Sequence, residues 1–185
     1  ALIGILKNYE AIGAFITASN DAFNRLQPGF EAPVCIVASV GHNVSIPSRN
    51  RTVLVGLIRE NNNPAAIRLE VRSPNPHSNY YLAIAALAQG MLDGITYALT
   101  NGRTSAQLEK EFSKKPGEPA GYLETERAYR SEEDVFEAYS REERDRLFGV
   151  PPATVWETLA NLERYPEKTA VLTRGEVFTS RIIKS

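Results

Sequence analysis

The chain of 185 residues contains a single cysteine, Cys35. An internal disulfide is therefore excluded, and a lone thiol in the apolar run Val34-Cys35-Ile36-Val37 reads as a small buried hydrophobe in a reduced compartment, with the cytoplasm as the expected location. The only histidines are His42 and His77, and neither has a carboxylate or a second histidine at metal-site spacing, so both read as loop residues. No Gly-rich phosphate loop ending in Gly-Lys-Ser/Thr occurs, so a nucleotide would need another kind of site. Nothing supports nucleophilic catalysis by a Ser-His-Asp arrangement. A net charge of -1 and a pI near 6.2 leave no broad basic surface for nucleic acid, although a local arginine cluster still suits a small anion. No apolar stretch is expected to reach the ~20 residues of a membrane span, and Ala1 to Leu6 lacks the basic start of a signal peptide. The expectation is a chain with neither nucleic-acid nor membrane partners.

What is present is 43% hydrophobic residues, enough for a sizeable core. Leu2, Ile5, Leu6, Tyr9, Ile12 and Ile16 recur at helical spacing and predict a helix over Leu2 to Thr17. An apolar helix at the very first residues, with Ala1 in place of Met, suggests numbering that begins in mid-protein. Pro28, Gly29 and Pro33 force a loop around Phe30 and Glu31. Val34 to Val40 and Thr52 to Ile58 read as strands, separated by a polar turn region from Gly41 to Asn50. Asn61-Asn62-Asn63-Pro64 predicts a tight reversal into a third strand, which makes the last two strands an antiparallel hairpin. Tyr80 to Leu99 is an alanine-rich helix closed by Asn101-Gly102, apolar nearly all round and hence expected to be buried. Beyond it, Ser131 and Asp134 open a charged helix to about Arg146. Pro151-Pro152 starts another that runs to Arg164 and is ended by Pro166, and Arg174-Gly175 precedes a last short helix near Lys184. The predicted class is α+β, with residues 1–102 forming a core of antiparallel strands packed with the long apolar helix and residues 103–185 a helical extension.

The third strand carries the most chemistry. In Ile67-Arg68-Leu69-Glu70-Val71-Arg72 the charges alternate with aliphatics, so a strand puts Arg68, Glu70 and Arg72 on one face and Ile67, Leu69 and Val71 on the other. A carboxylate between two guanidiniums can hold a cation while the arginines hold phosphate or carboxylate oxygens. A half-solvated charge ladder of little energetic worth is the alternative. Arg25 and Glu31 on the Pro-Gly loop, with Arg51 after Asn50, complete a set suited to phosphoryl transfer, where positioning and electrostatics do most of the work.

Four ordered motifs carry a family resemblance. Asn24-Arg25-Leu26-Gln27-Pro28-Gly29-Phe30-Glu31-Ala32-Pro33 resembles the glutamine synthetase motif Lys-Arg-Leu-x-Pro-Gly-Tyr-Glu-Ala-Pro, and Asn50-Arg51-Thr52 resembles its Asn-Arg-Ser element. Arg68 to Pro76 is similar to its Arg-x-Glu-x-Arg-x-Pro-Asp segment. Asn79-Tyr80-Tyr81-Leu82-Ala83 through Leu92-Asp93-Gly94-Ile95 is similar to its Asn-Pro-Tyr-Leu-Ala and Leu-Asp-Gly-Ile helix. A weaker likeness follows at Gly175 to Thr179.

The resemblance implies that the strands belong to the glutamine synthetase catalytic sheet and that the reaction is ATP-dependent joining of glutamate and ammonia through γ-glutamyl phosphate. It implies ATP and Mg2+ or Mn2+ as cofactors, and a homo-oligomer, a dodecamer-like ring in the parent protein. By the same resemblance Glu70 is a metal ligand, Arg51 and Arg68 contact nucleotide phosphates, and Arg25 holds glutamate. Arg72 contacts glutamate or the transferring phosphoryl group, and Glu31 shields the acyl phosphate and helps deprotonate ammonium. Three positions depart from the pattern: Asn24 replaces lysine, Asn75 replaces aspartate, and Gly56 stands where many members carry a phosphate-binding arginine. Arg59 takes over from that arginine only if the strand register shifts. The expectation is a C-terminal piece of a catalytic domain, inactive in isolation because other metal ligands lie upstream in the family. A non-catalytic binding or assembly module and a ligase for another amine remain as alternatives.

Overall fold

The computed structural model describes residues 1–27, 33–43, 45–48, 50–60 and 62–184. Glu31 and most of the Pro-Gly loop thus lie outside the described residues. The chain divides into two compact units, one of residues 1–24, 74–104 and 151–185, the other of residues 25–73 and 105–150.

The first unit is helical. Its opening helix is interrupted: α1 (Leu2–Lys7) stops at Asn8 and α2 (Tyr9–Ile16) restarts beyond it. At the break Asn8 has φ −99° and ψ 11°, and its side-chain amide donates to the Gly4 carbonyl at 3.0 Å and to Asp93 Oδ2 at 3.2 Å. The long helix α3 (Tyr80–Thr100) begins at the Asn79 cap, whose Oδ1 accepts from the Tyr81 and Leu82 amides. It ends as expected at Asn101, with Gly102 at φ 57°. By length and composition this one helix of the described residues is long and apolar enough to cross a membrane, contrary to the sequence expectation. It is nevertheless tied into its unit by Ala83, Ala86, Gln89, Gly90 and Gly94, and Gln89 donates to the Leu172 and Arg174 carbonyls at 3.3 and 2.6 Å. The rest of its surface is not buried: Tyr81, Ile84, Leu92 and Leu99 are exposed.

Two contacts lock this unit. α1 crosses α3 where Gly4 faces Gly90 and Gly94, and a Cβ on Gly4 would stand 2.8 Å from the Gly94 nitrogen. Backbone meets backbone there, so neither helix has room for a side chain. Lys168 of α8 (Pro166–Thr173) donates from Nζ to Glu10 Oε2 at 2.8 Å, and both side chains are buried. α7 (Val155–Arg164), capped by Thr154, and α9 (Ser180–Lys184) complete the unit. Pro166 does end α7, and it also occupies the first turn of α8, where its missing N–H costs nothing.

The second unit holds a three-stranded sheet in the order β1 (Ala38–Ser39), β2 (Val55–Ile58), β3 (Arg68–Val71). The β2–β3 pair is the expected antiparallel hairpin, in the register Val55 to Val71, Gly56 to Glu70, Leu57 to Leu69 and Ile58 to Arg68. The β1–β2 pair is parallel, which corrects the expectation of antiparallel pairing throughout. β1 is also shorter than the apolar run suggested, because neighbouring backbone takes its hydrogen bonds: Ile36 donates to the Gly149 carbonyl, and Ala38 exchanges bonds with Tyr129 and Ser131. Cys35, Val37, Val53, Val135 and Phe148 form the core beneath. α4 (Ser105–Phe112) was not foreseen. The single charged helix expected after Ser131 is two, α5 (Val135–Ala138) and α6 (Arg141–Phe148). Asp134 caps α5, Tyr139 is extended, and a Ser140–Glu143 capping box restarts the chain as α6.

Glu132 staples the loop after β1. Its carboxylate accepts from the Val40 and Gly41 amides at 3.1 and 2.9 Å, from Arg130 Nε at 2.8 Å and from the Ser39 hydroxyl. Burial acts to raise its pKa, but these four donors outweigh burial and hold the group below the ordinary carboxylate range.

Three outcomes follow. Glu10→Ala removes the carboxylate that meets the buried Lys168 ammonium and is expected to cost ~3 to 5 kcal/mol in chemical denaturation, with partial recovery when Lys168→Met is added. Gly4→Ala is expected to cost ~1 to 3 kcal/mol or more, since backbone cannot yield as a side chain does. The Glu132 carboxylate stabilises the fold above the ordinary carboxylate pKa and loses that contribution as pH falls through its depressed folded value. Acid titration of Glu132→Gln should accordingly show a flatter loss of stability than the unsubstituted chain.

Candidate functional site

The polar face of β3 is built as the alternation dictates. Arg68, Glu70 and Arg72 share it, and the antiparallel register adds Gly56 and Ile58 of β2 to the same face. The opposite face is less buried than a core strand would be: Leu69 and Val71 are half-buried, and Ile67, just before the strand, is exposed.

Arg72 is the fixed point of this face. Its Nε donates to Glu70 Oε1 at 3.0 Å and its Nη1 donates to the Asn50 carbonyl, while Nη2 lies over Gly56. Only 12% of the Arg72 side chain is exposed, against 50% for Glu70. The backbone ties the same place together, since the Arg72 amide donates to the Leu54 carbonyl at 3.0 Å and Arg25 Nη2 approaches the Arg72 carbonyl at 3.5 Å.

Asn50 explains why its segment is suited to this role. Its Oδ1 accepts from the Thr52 amide at 2.9 Å and the Thr52 hydroxyl at 2.6 Å, closing a local turn, and its Nδ2 donates to the Glu133 carbonyl at 2.6 Å. Thr52 Oγ1 then accepts from the Val135 amide at 3.1 Å. The side chains of Asn50 and Thr52 therefore lock the backbone, and Arg51 between them is exposed.

The predicted residues are thus only partly gathered. Arg72, Glu70 and Asn50 are in direct contact, Arg25 reaches the Arg72 backbone, and Arg51 adjoins Asn50 in sequence. Arg68 is exposed and donates from Nη1 to the Ala66 carbonyl at 3.1 Å rather than to Glu70. Glu31 lies outside the described residues. Arg59 does not stand in for residue 56: the register is unshifted, and Arg59 lies 3.9 Å from Glu109. Sequence reasoning named Asn50 and Gly56 through their motifs but did not foresee that the Asn50 carbonyl holds Arg72 or that the Arg72 tip lies over Gly56. A backbone acceptor leaves no compositional trace, and a strand glycine signals close approach without naming its neighbour.

Other candidates resolve as structural. Burial pushes the Cys35 thiol up to about 12, which suits a core residue and not a nucleophile. Asn75 is a buried turn residue whose Oδ1 accepts from the His77 amide at 2.7 Å and whose Nδ2 points at Asp21 Oδ2, 3.5 Å away. An aspartate there would set two carboxylates against each other.

As a cation ligand Glu70 fits one position. Its Oε1 is engaged by Arg72, and Oε2 takes no partner among the described residues. No three His, Cys, Asp or Glu side chains gather elsewhere among the described residues, so the fit is to one ligand of a divalent ion and not to a complete coordination shell.

A family model described as glutamine synthetase, catalytic domain, matches residues 1–163. The glutamine synthetase of Aquifex aeolicus is 33% identical over 186 aligned residues, covering 100% of this chain and 31% of that protein. That of Rhizobium meliloti is 41% identical over 113 residues, 61% of this chain and 22% of the relative. The chain thus spans about a third or less of the length of these curated relatives. A solved glutamine synthetase structure from Plasmodium falciparum superposes with a TM-score of 0.62 over 99% of this chain and 35% of that one, at 20% identity, a likeness of fold. With the ordered motifs and this agreement over nearly all its length, the chain belongs to the glutamine synthetase catalytic-domain family.

Proposed function

We propose that this chain supplies the arginine side of an ATP-dependent glutamate–ammonia ligase site. The observation that carries the reading is the Arg72 guanidinium, held by Glu70 and the Asn50 carbonyl on a strand face that also bears Arg68. One fixed positive charge beside a carboxylate, with a second on the same strand face, suits a reaction in which a phosphoryl group moves onto a second anion.

In this reading Arg72 orients the glutamate side chain or the transferring phosphoryl oxygens. Pinned at two of its nitrogens, it has little freedom to lose on binding, so its charge is preorganised. Arg51 and Arg68, both exposed, meet nucleotide phosphates, and Arg25 holds substrate glutamate. Glu70 serves as one ligand through Oε2, and a divalent cation bound there would supply neutralisation of phosphate charge. Glu31 covers the acyl phosphate and takes a proton from the incoming ammonium. ATP, glutamate and ammonia are then the small-molecule partners, and the parent protein is a cytoplasmic homo-oligomer. Residues outside this chain would have to complete the cation site.

A chimera tests this: the matched region of the 33%-identical relative is replaced by this chain, and products are assayed with glutamate, ammonia, ATP and magnesium. Glutamine formation is expected, and Arg72→Gln in the chimera should lower it by about 100-fold or more. A correctly assembled chimera that makes a different glutamyl amide would replace ammonia by another amine. One that assembles and makes no product would favour a binding or assembly module. The 185-residue chain alone is expected to form no glutamine, and formation by it alone would contradict the reading.

A further inference from the structure

Glu132 does more than staple the loop after β1. Each of its oxygens takes two donors: Oε1 accepts from the Val40 amide at 3.1 Å and from Arg130 Nε at 2.8 Å, and Oε2 accepts from the Gly41 amide at 2.9 Å and from the Ser39 hydroxyl. Ser39 is fully buried, and its oxygen also meets the Ser48 hydroxyl, while the Ser48 oxygen accepts from the Asn50 amide at 3.2 Å. A hydroxyl carries one proton and a carboxylate only accepts, so the direction of the whole chain is set. The Asn50 N–H donates to Ser48, the Ser48 O–H to Ser39, and the Ser39 O–H to Glu132. The carbonyl of the same Asn50 is the acceptor that holds Arg72 Nη1. A second grip comes from the residue after Glu132, because Asn50 Nδ2 donates to the Glu133 carbonyl at 2.6 Å.

We propose that Glu132 is a positioning residue for Arg72, acting from the loop between α4 and α5 through Ser39, Ser48 and Asn50 to aim the guanidinium at a carboxylate or phosphoryl oxygen. Its charge is what makes the relay run one way. With a glutamine in its place, the charged Arg130 claims the one remaining oxygen, and the NH2 is turned against the Gly41 amide, so the loop has to shift. That shift passes to Asn50 by both grips and so to the acceptor of Arg72. This deepens the proposed function and rests on its reading of Arg72 as the group that meets an anionic substrate.

The test uses the 185-residue chain with inorganic pyrophosphate as probe. Glu132→Gln, Ser48→Ala, Ser48→Thr and Arg72→Gln are compared by calorimetric titration below their melting transitions, and the Arg72 Nε–H resonance is followed by NMR. Ser48→Ala is expected to melt close to the unsubstituted chain, because the bonds of Glu132 to Val40, Gly41 and Arg130 survive. It should nevertheless shift the Arg72 Nε–H and weaken pyrophosphate binding about tenfold. Ser48→Thr keeps the hydroxyl and should leave both as they were. Glu132→Gln should show the same two changes with a lower melting temperature, and adding Ser48→Ala to it should weaken binding no further, since both act through one relay. An unmoved Nε–H resonance with unchanged affinity in Ser48→Ala, while Arg72→Gln still loses binding, would overturn the positioning role and leave the site reading standing. Unchanged affinity in Arg72→Gln, or no pyrophosphate binding by the unsubstituted chain, would remove the site reading and this inference with it.

Discussion

A guanidinium whose place is fixed by a carboxylate and a backbone carbonyl is the constraint on which the site depends. Arg72 sits at the end of β3, where a free arginine would sample many rotamers and offer a diffuse charge. Its bond to Glu70 and its contact with the Asn50 carbonyl remove most of that freedom, and only 12% of the side chain remains exposed. With the Glu70 side chain 50% exposed, this ion pair contributes little to stability. Its value lies in orientation, because a planar donor fork matches a carboxylate or phosphoryl group only from one direction.

The constraint reaches outward through polar links within the second unit. Asn50 must present its carbonyl at a set position, so its side chain is tied to Thr52 and to the Glu133 carbonyl. Thr52 is tied in turn to the Val135 amide above the core formed by Cys35, Val37, Val53, Val135 and Phe148. Glu132, the neighbour of Glu133, holds Val40 and Gly41 at the other end of the same loop. The two ends of this segment, at Val40–Gly41 and at Asn50, are thereby held in place. The helical unit is locked by different means, a backbone-to-backbone crossing at Gly4 and a buried Lys168–Glu10 pair.

Much of this was legible in the sequence because it depends on local periodicity. The alternation in Arg68 to Arg72 placed the three charges on one face, Asn79 and Gly102 bounded the long helix, and the Asn-rich reversal gave the β2–β3 hairpin. Three features were not legible, each for a tertiary reason. The first helix is interrupted at Asn8, whose side-chain amide reaches Asp93, far along the chain. The apolar run at Val34 to Val40 forms only a two-residue strand because Tyr129, Ser131 and Gly149 take its backbone bonds. The apolar surface of the long helix predicted burial all round, yet only the face carrying Ala83, Ala86, Gln89, Gly90 and Gly94 is covered. In the site, the side chains were named from their motifs, while the role of the Asn50 carbonyl and the place of the Arg72 tip over Gly56 emerged only with the fold.

The account stands on the claim that the Arg72 face of β3 and the neighbouring Asn50–Thr52 turn form one anion-binding surface. Titration of the 185-residue chain with magnesium and ATP, followed by backbone amide NMR, tests it most directly. The account predicts saturable shifts concentrated at residues 50–52, 56 and 68–72, with the amides of α7 and α8 unmoved. Saturable shifts confined to α7 and α8, or none at residues 68–72 at saturation, would contradict it.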